Sequence, residues 1–242
     1  MPSPVEPADV LPVLRDGELE LVGRLVDASN ATFYCAATLD GVELECVYKP
    51  VKGERRLWDF PTGTLAAREV AAYAVSEATG WRLVPPTVFR TDGPFGRGMC
   101  QLWIDVDETV DLVELVQSDR EPLRRMAVFD AVVNNADRKG GHLLPLPGGH
   151  VHGVDHGVCF SVEDKLRTVL WNWAGDPLPA EACVLLDRLA ADLDGGGLSR
   201  ELAGLLAEEE VAATRARVGR LRSTGRFPEP TGDWPAVPWP PF

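Results

Sequence analysis

Two aspartates stand out in the run from Ala131 to Cys159, AVVNNADRKGGHLLPLPGGHVHGVDHGVC. Asp137 ends a helix-like segment and is followed at once by Arg138. Asp155 closes an apolar Val-His-Gly-Val stretch and is followed by His156-Gly157. This placement suits phosphoryl transfer: one acid steers an attacking hydroxyl, and the other, at a strand end, holds the metal on nucleotide phosphates. A carboxylate on a loop fixed by a rigid helix can accept a hydrogen bond from the incoming hydroxyl. The competing reading of Asp137-Arg138 is a surface ion pair of little energetic weight. Asp155 favours the catalytic reading, because a strand-like pair returns the chain to the same place. A phosphate-bound Mg²⁺ takes one or two hard oxygen ligands from a protein, and Asp155 fits that role. His142, in the same loop as Asp137, stands where a second ligand would sit. Because imidazole is softer than an amide oxygen, either Mn²⁺ is tolerated or a water intervenes; a structural histidine is the alternative.

Lys49 ends a strand-like run, and a lysine there can neutralise the α- and β-phosphates of a nucleotide. Its carboxylate partner would come from the next helix, which offers Glu69, with Glu77 competing. The turn Asp27-Ala-Ser-Asn-Ala-Thr32, with Ser29 and Asn30 at its tip, has backbone N–H groups that could cover phosphates. It has no glycine-rich motif, and an ordinary Asx turn explains it as well.

The elements that must carry these residues follow from periodicity. Leu19–Arg24 and Ala31–Leu39 read as strands, Asp40-Gly41 as a tight hairpin turn, and Val42–Tyr48 as the strand that delivers Lys49 before Pro50 stops it. A helix is expected over Thr64–Thr79, capped by Thr62 or Thr64 and closed by Gly80. Val84–Phe89 and Gly98–Ile104 read as further strands. Ser118 with Glu121 forms a capping-box pattern for a helix that runs to about Asn134, with Pro122 in its first turn. His150–Val154 and Cys159–Ser161 read as short strands, and Pro179–Leu193 and Ser199–Leu221 as amphipathic helices. The division expected is an extended N-terminal arm over 1–15, a β-rich lobe with one helix over 16–106, an α-rich lobe over 107–227, and a Pro/Trp-rich tail over 228–242 that docks on the body or hangs as a polyproline arm. This α+β layout, β-rich lobe before α-rich lobe, is the bilobal protein-kinase arrangement, with a ligand cleft between the lobes.

Composition narrows the partners. The chain has 242 residues, 45% hydrophobic, and a net charge of −13. Such an acidic body repels nucleic acid, so none is expected as a partner. Five cysteines, none in CxxC spacing, read as free thiols of a reducing compartment. The N-terminus lacks the features of a signal peptide, and no apolar run reaches the ~20 residues a membrane helix needs. A cytoplasmic location is the expectation; the oligomeric state is left open.

The set Lys49, Glu69, NNADRKGGH and GVDHG resembles the phosphatidylinositol 3-/4-kinase-like branch of the kinase superfamily, in particular a small actinobacterial group of phosphatidylinositol-kinase-like proteins. HipA-type kinases are more distant relatives. The resemblance spans roughly Gly23 to Leu221. It implies a kinase using ATP and Mg²⁺, with Lys49 on the phosphates, Glu69 as its helix partner, Asp137 and Arg138 in the catalytic loop and Asp155 on the metal. Gln101–Asp105 would be the hinge that meets adenine, Leu102, Trp103 and Ile104 supplying the contacts. The acceptor would be a hydroxyl of a small molecule or protein. His142 stands where the family has a metal-binding Asn, His156 where Asn or Phe is common, and the stretch after Val158 is short and not basic. A nucleotide-binding pseudokinase and a nucleotidyl (AMP) transferase are the alternatives on the same fold.

Overall fold

A computed structural model describes residues 7–25 and 30–242. The N-terminal lobe is a five-stranded antiparallel sheet in the order β1-β2-β3-β5-β4, built from β1 (Glu18–Leu25), β2 (Thr32–Leu39), β3 (Val42–Pro50), β4 (Thr87–Arg90) and β5 (Gly98–Leu102). Asp40 and Gly41 both adopt positive φ, as a two-residue hairpin joining β2 to β3 demands. Alternation sets the faces. Cys35, Ala37, Cys46 and Tyr48 point into the lobe core, which places Lys49, the neighbour of Tyr48, on the opposite face.

The expected extended arm over 1–15 is corrected from Pro7 onward, its first six positions lying outside the described residues. Pro7–Asp16 is a helix, α1, whose Val13 and Leu14 pack into the core under Cys35 and Tyr48. Arg90 ties its end down, donating to the carbonyls of Leu14 and Gly17 at 2.8 Å each. Proline density suggested an extended chain, but Pro12 is tolerated within a short helix whose apolar face is buried.

Helix α2 (Leu65–Thr79) links the lobes and ends at Gly80 with φ 72°, the left-handed C-cap that glycine favours. Thr64 does not cap it by side chain. Its hydroxyl instead donates to the Pro61 carbonyl and accepts from Arg68. Ser118 is likewise not the cap of the next long helix. It ends an unforeseen short helix, α3 (Leu112–Gln117), capped by Asp111, while α4 (Glu121–Val133) begins after Arg120.

The helical lobe buries one continuous core between α4, α5 (Ala180–Leu193), α6 (Gly197–Ala203) and α7 (Glu208–Thr224). The single helix expected over Ser199–Leu221 is split at Gly204. Glu208, Glu209 and Glu210 open the new helix, favoured at its positive end, and Glu210 reaches back to the Ala207 N–H. A small hairpin, β6 (Leu143–Pro145) with β7 (Val151–Gly153), carries the chain between the two aspartates. Cys159–Ser161 is not a strand; Phe160 turns there at φ 65°. The tail docks: Thr168 N–H and Trp171 Nε1 donate to the Ala236 carbonyl, and Gly140 N–H donates to that of Pro241.

Candidate functional site

The site is assembled from three separate stretches. From β3, Lys49 Nζ donates to Glu69 Oε1 at 2.7 Å and to Asp155 Oδ1 at 2.9 Å. Glu69 sits on α2; Glu77 does not enter the cluster. The second Glu69 oxygen accepts the backbone N–H of His156 at 2.8 Å. One buried carboxylate therefore fixes both the lysine and the backbone next to Asp155. The neighbouring Arg68 locks α2 to the helical lobe, pairing with Glu210 and donating to the Cys159 carbonyl at 2.7 Å.

Asp155 follows β7 in the left-handed region, φ 62°, costly for a residue with a β-carbon. The strain aims its carboxylate at Lys49, which holds its pKa well below the usual range. Lys49 is raised: burial opposes its charge, but Asp155 and Glu69 outweigh it. Burial raises Glu69, partly offset by Lys49.

Asp137 lies past the end of α4, and its N–H donates to Asn135 Oδ1 at 2.9 Å. Its pKa is raised by burial, with Lys139, whose Nζ is 3.5 Å away, opposing. Asp137 and Asp155 both line a cavity of ≈300 Å³ that also reaches Arg55, Trp58, Phe60 and Arg167.

Arg138, expected beside Asp137 in the transfer step, is corrected to a scaffold residue. Its side chain is 0% exposed, as is that of Asp130, to which it is paired at 2.9 Å. It also donates to the Val154 carbonyl at 3.0 Å and to His156 Nε2 at 2.6 Å. Guanidinium is only a donor, so His156 accepts at Nε2 and carries its proton on Nδ1. That Nδ1 is buried without a partner among the described residues. Burial and Arg138 hold His156 well below its ordinary pKa. Arg138 thus connects α4, the Asp137 loop and the Asp155 loop.

His142 Nε2 is 3.4 Å from Asp155 Oδ2. Burial lowers its pKa to about 4, so at neutral pH it is an uncharged neighbour of the carboxylate rather than an ion-pair partner. No group of three or more His, Cys, Asp or Glu side chains suited to a metal occurs among the described residues. Asp155 still fits a phosphate-bound Mg²⁺, which needs only one or two carboxylates once phosphates and waters complete its shell.

Ser29 lies outside the described residues. Asn30 anchors the β1–β2 turn: its Oδ1 accepts the Arg55 N–H at 2.7 Å. At the end of β5 the N–H of Leu102 is spent on the Pro86 carbonyl, and just after it that of Trp103 on the Glu45 carbonyl. The Trp103 ring stands edge-on to Tyr34 at 4.9 Å. Ile104 follows, partly buried. Arg55, Trp58, Phe60 and Arg167 gave no motif signal in the sequence.

Compared with known proteins, the chain is 48% identical to Protein Rv2133c of Mycobacterium tuberculosis (strain ATCC 25618 / H37Rv), over 95% of this chain and 94% of that one. The chain belongs to the Rv2133c family. It is also 23% identical to phosphatidylinositol 4-kinase gamma 4 of Oryza sativa subsp. japonica, over 80% of this chain but only 44% of the plant protein. No family model matches. Among solved structures, hydra Fam20 with sugar superposes with a TM-score of 0.60 at 15% identity, covering 90% of this chain and 87% of that one. The Golgi casein kinase gives 0.57 at 14%, covering 89% and 74%. At such identities the likeness establishes the fold: this Rv2133c-family chain is bilobal and kinase-like, β-rich lobe first. No helix among the described residues is long and apolar enough to cross a membrane.

Proposed function

We propose that this Rv2133c-family protein is an ATP-dependent phosphotransferase of the phosphatidylinositol 3-/4-kinase-like type, with Mg·ATP bound between a β-rich lobe of about residues 16–106 and an α-rich lobe of about residues 107–227. The observation that carries the reading is the Lys49–Glu69–Asp155 cluster, with Asp137 across a shared cavity. The likeness to the rice lipid kinase supports the finer assignment.

Lys49, held by Glu69, presents its ammonium to the nucleotide phosphates. Asp155 offers the hard oxygen that would hold Mg²⁺, which neutralises phosphate charge when bound. With the Leu102 and Trp103 amides engaged, Ile104 is the next backbone position for adenine. Asp137, kept on a rigid loop by Asn135, accepts the proton of the acceptor hydroxyl as its oxygen approaches phosphorus. Positioning and charge neutralisation supply most of the rate. Asp137→Ala tests the assignment. Transfer of labelled phosphate should fall by on the order of a hundredfold or more, while Mg·ATP affinity by calorimetry stays near wild type. Wild-type transfer by the variant would remove Asp137 from the mechanism. His142 beside Asp155 favours one second reading, a nucleotide-binding module without turnover; tight Mg·ATP binding with no transfer under Mg²⁺ or Mn²⁺ would select it.

A further inference from the structure

The ≈300 Å³ cavity against Asp137 is lined by more than the residues assigned to the nucleotide, although Asn30 and Asp155 are among them. Asp137 and Asp155 line it, but Lys49, Glu69 and residues 102–104 do not. It adjoins the lysine through Asp155, which Lys49 contacts at 2.9 Å, and extends from there to Asp137, the side proposed for the acceptor. Two arginines, Arg55 and Arg167, line it together with Asp137, and Trp58 and Phe60 add apolar wall.

Neither arginine is paired with a carboxylate among the described residues. The backbones of both are nonetheless fixed. Arg55 N–H donates to Asn30 Oδ1, and Arg167 N–H donates to the Asn135 carbonyl at 2.9 Å, on the loop that carries Asp137. Arg167 Nε is spent on the Pro235 carbonyl at 3.1 Å, leaving its two terminal nitrogens without a partner among the described residues. In a chain of net charge −13, two arginines on one cavity, without a carboxylate partner among the described residues, supply positive charge where an anion would gain from it.

We propose that the acceptor is a small hydroxyl compound bearing a second, anionic group, phosphate or carboxylate, which Arg55 and Arg167 bind while Asp137 receives the hydroxyl. This rests on the phosphotransferase reading. In the step itself, the acceptor oxygen bonds to the γ-phosphorus and its proton passes to Asp137. The bond from that phosphorus to the β–γ bridging oxygen breaks, and ADP leaves with the electron pair. Held at a distance from the anionic group, the hydroxyl is presented to phosphorus in one orientation, which is what a two-point site contributes.

Calorimetry of the full chain with Mg·ADP bound tests this, using glycerol 3-phosphate, glycerate and inorganic phosphate against glycerol. Phosphatidylcholine vesicles with and without phosphatidylglycerol distinguish a lipid headgroup from a free anion. An anionic probe, soluble or on vesicles, should bind while glycerol does not. Arg55→Gln and Arg167→Gln should each weaken that binding about tenfold, as expected for a charge-assisted contact. Mg·ATP affinity should be unchanged in both, and the melting temperature in Arg55→Gln. Arg55→Gln is the safer variant, since the Arg55 side chain is exposed and holds nothing together. No preference for any anion over glycerol overturns the proposal. So does an equal loss of Mg·ATP affinity in the variants, which would give the arginines to the nucleotide. Failure of the wild type to bind Mg·ATP at all overturns instead the phosphotransferase reading beneath it.

Discussion

Replacing Arg138 by methionine separates scaffold from chemistry. The substitution removes a cation that is fully buried and leaves Asp130 equally buried, with only Asn135 Nδ2, at 3.0 Å, still donating to its carboxylate. Stranding one member of such a pair costs about 3–5 kcal/mol. The Val154 carbonyl loses its donor as well, worth about 1 kcal/mol more. Against a total stability of about 5–15 kcal/mol this is a large share, so urea denaturation followed by tryptophan fluorescence should show a midpoint far below wild type. The double variant Asp130→Leu/Arg138→Met removes both charges and should recover most of the loss, because buried pairs replaced together by apolar groups are often neutral. It should not recover phosphotransfer. Asp130 also holds Asn135, which holds the Asp137 N–H, and Arg138 holds the residue before Asp155. Loosening both acids by about 1 Å costs on the order of a hundredfold in rate. A single variant with a wild-type midpoint, or a double variant with wild-type turnover, would refute the argument.

Three further outcomes follow from the geometry. Stripping divalent metal with EDTA should weaken ATP binding in calorimetry by at least about tenfold, since Lys49 is already shared by two carboxylates and cannot alone offset a polyphosphate. Burial lowers His152 to about 4 from 6.5, so between those values the unfolded chain takes up a proton that the folded chain refuses, and stability falls as pH drops through that window. The share from this one residue between pH 7 and pH 5 is about 2 kcal/mol, and melting curves of His152→Phe across that range should be flatter than wild type. At Gly140 a β-carbon would lie 2.1 Å from the Phe242 ring, so Gly140→Ala should push the tail end off the catalytic loop, seen as faster proteolytic trimming with a melting temperature within a few degrees of wild type.

How far the sequence could be read depended on whether a signal was local. The Asp40-Gly41 hairpin and the Gly80 helix stop are backbone requirements of adjacent residues, and both were legible. The two-lobed layout was legible for the same reason, since period-2 and period-3.6 patterns occupy different halves of the chain. Capping patterns misled where two helices compete: Ser118 fits a capping box with Glu121, yet it terminates α3, because the Asp111 cap starts that helix first. The proline-rich start hid α1, since proline content argues for extension while the burial of Val13 and Leu14 depends on strands far along the chain. Arg138 was misplaced for a related reason. A motif gives its position beside Asp137, but side-chain direction is set by Asp130, eight residues upstream on α4, and nothing in Asp-Arg reports which of the two side chains faces the cleft.

The buried and exposed charges of the site divide the work between them. Arg68, Asp130 and Arg138 are withdrawn from solvent and satisfied by carboxylates, a guanidinium or backbone carbonyls, so they hold α2, α4 and the two aspartate loops in one geometry. Lys49 is the transition between the two sets, since it is held on one side by the buried Glu69 and on the other by Asp155, whose side chain is 44% exposed. Asp155 alone combines a strained backbone, a depressed pKa and access to the cavity. A carboxylate in that state stays ionised at any physiological pH and cannot escape by rotating its backbone into a relaxed conformation without breaking the His156 N–H bond to Glu69. It is therefore a fixed negative charge in the cavity, whose other charged lining includes Asp137, with its raised pKa, and Arg55 and Arg167, which meet no carboxylate among the described residues. Under the proposed phosphotransfer, a fixed charge on the side assigned to the metal would face groups on the side assigned to the acceptor whose contacts a ligand can change.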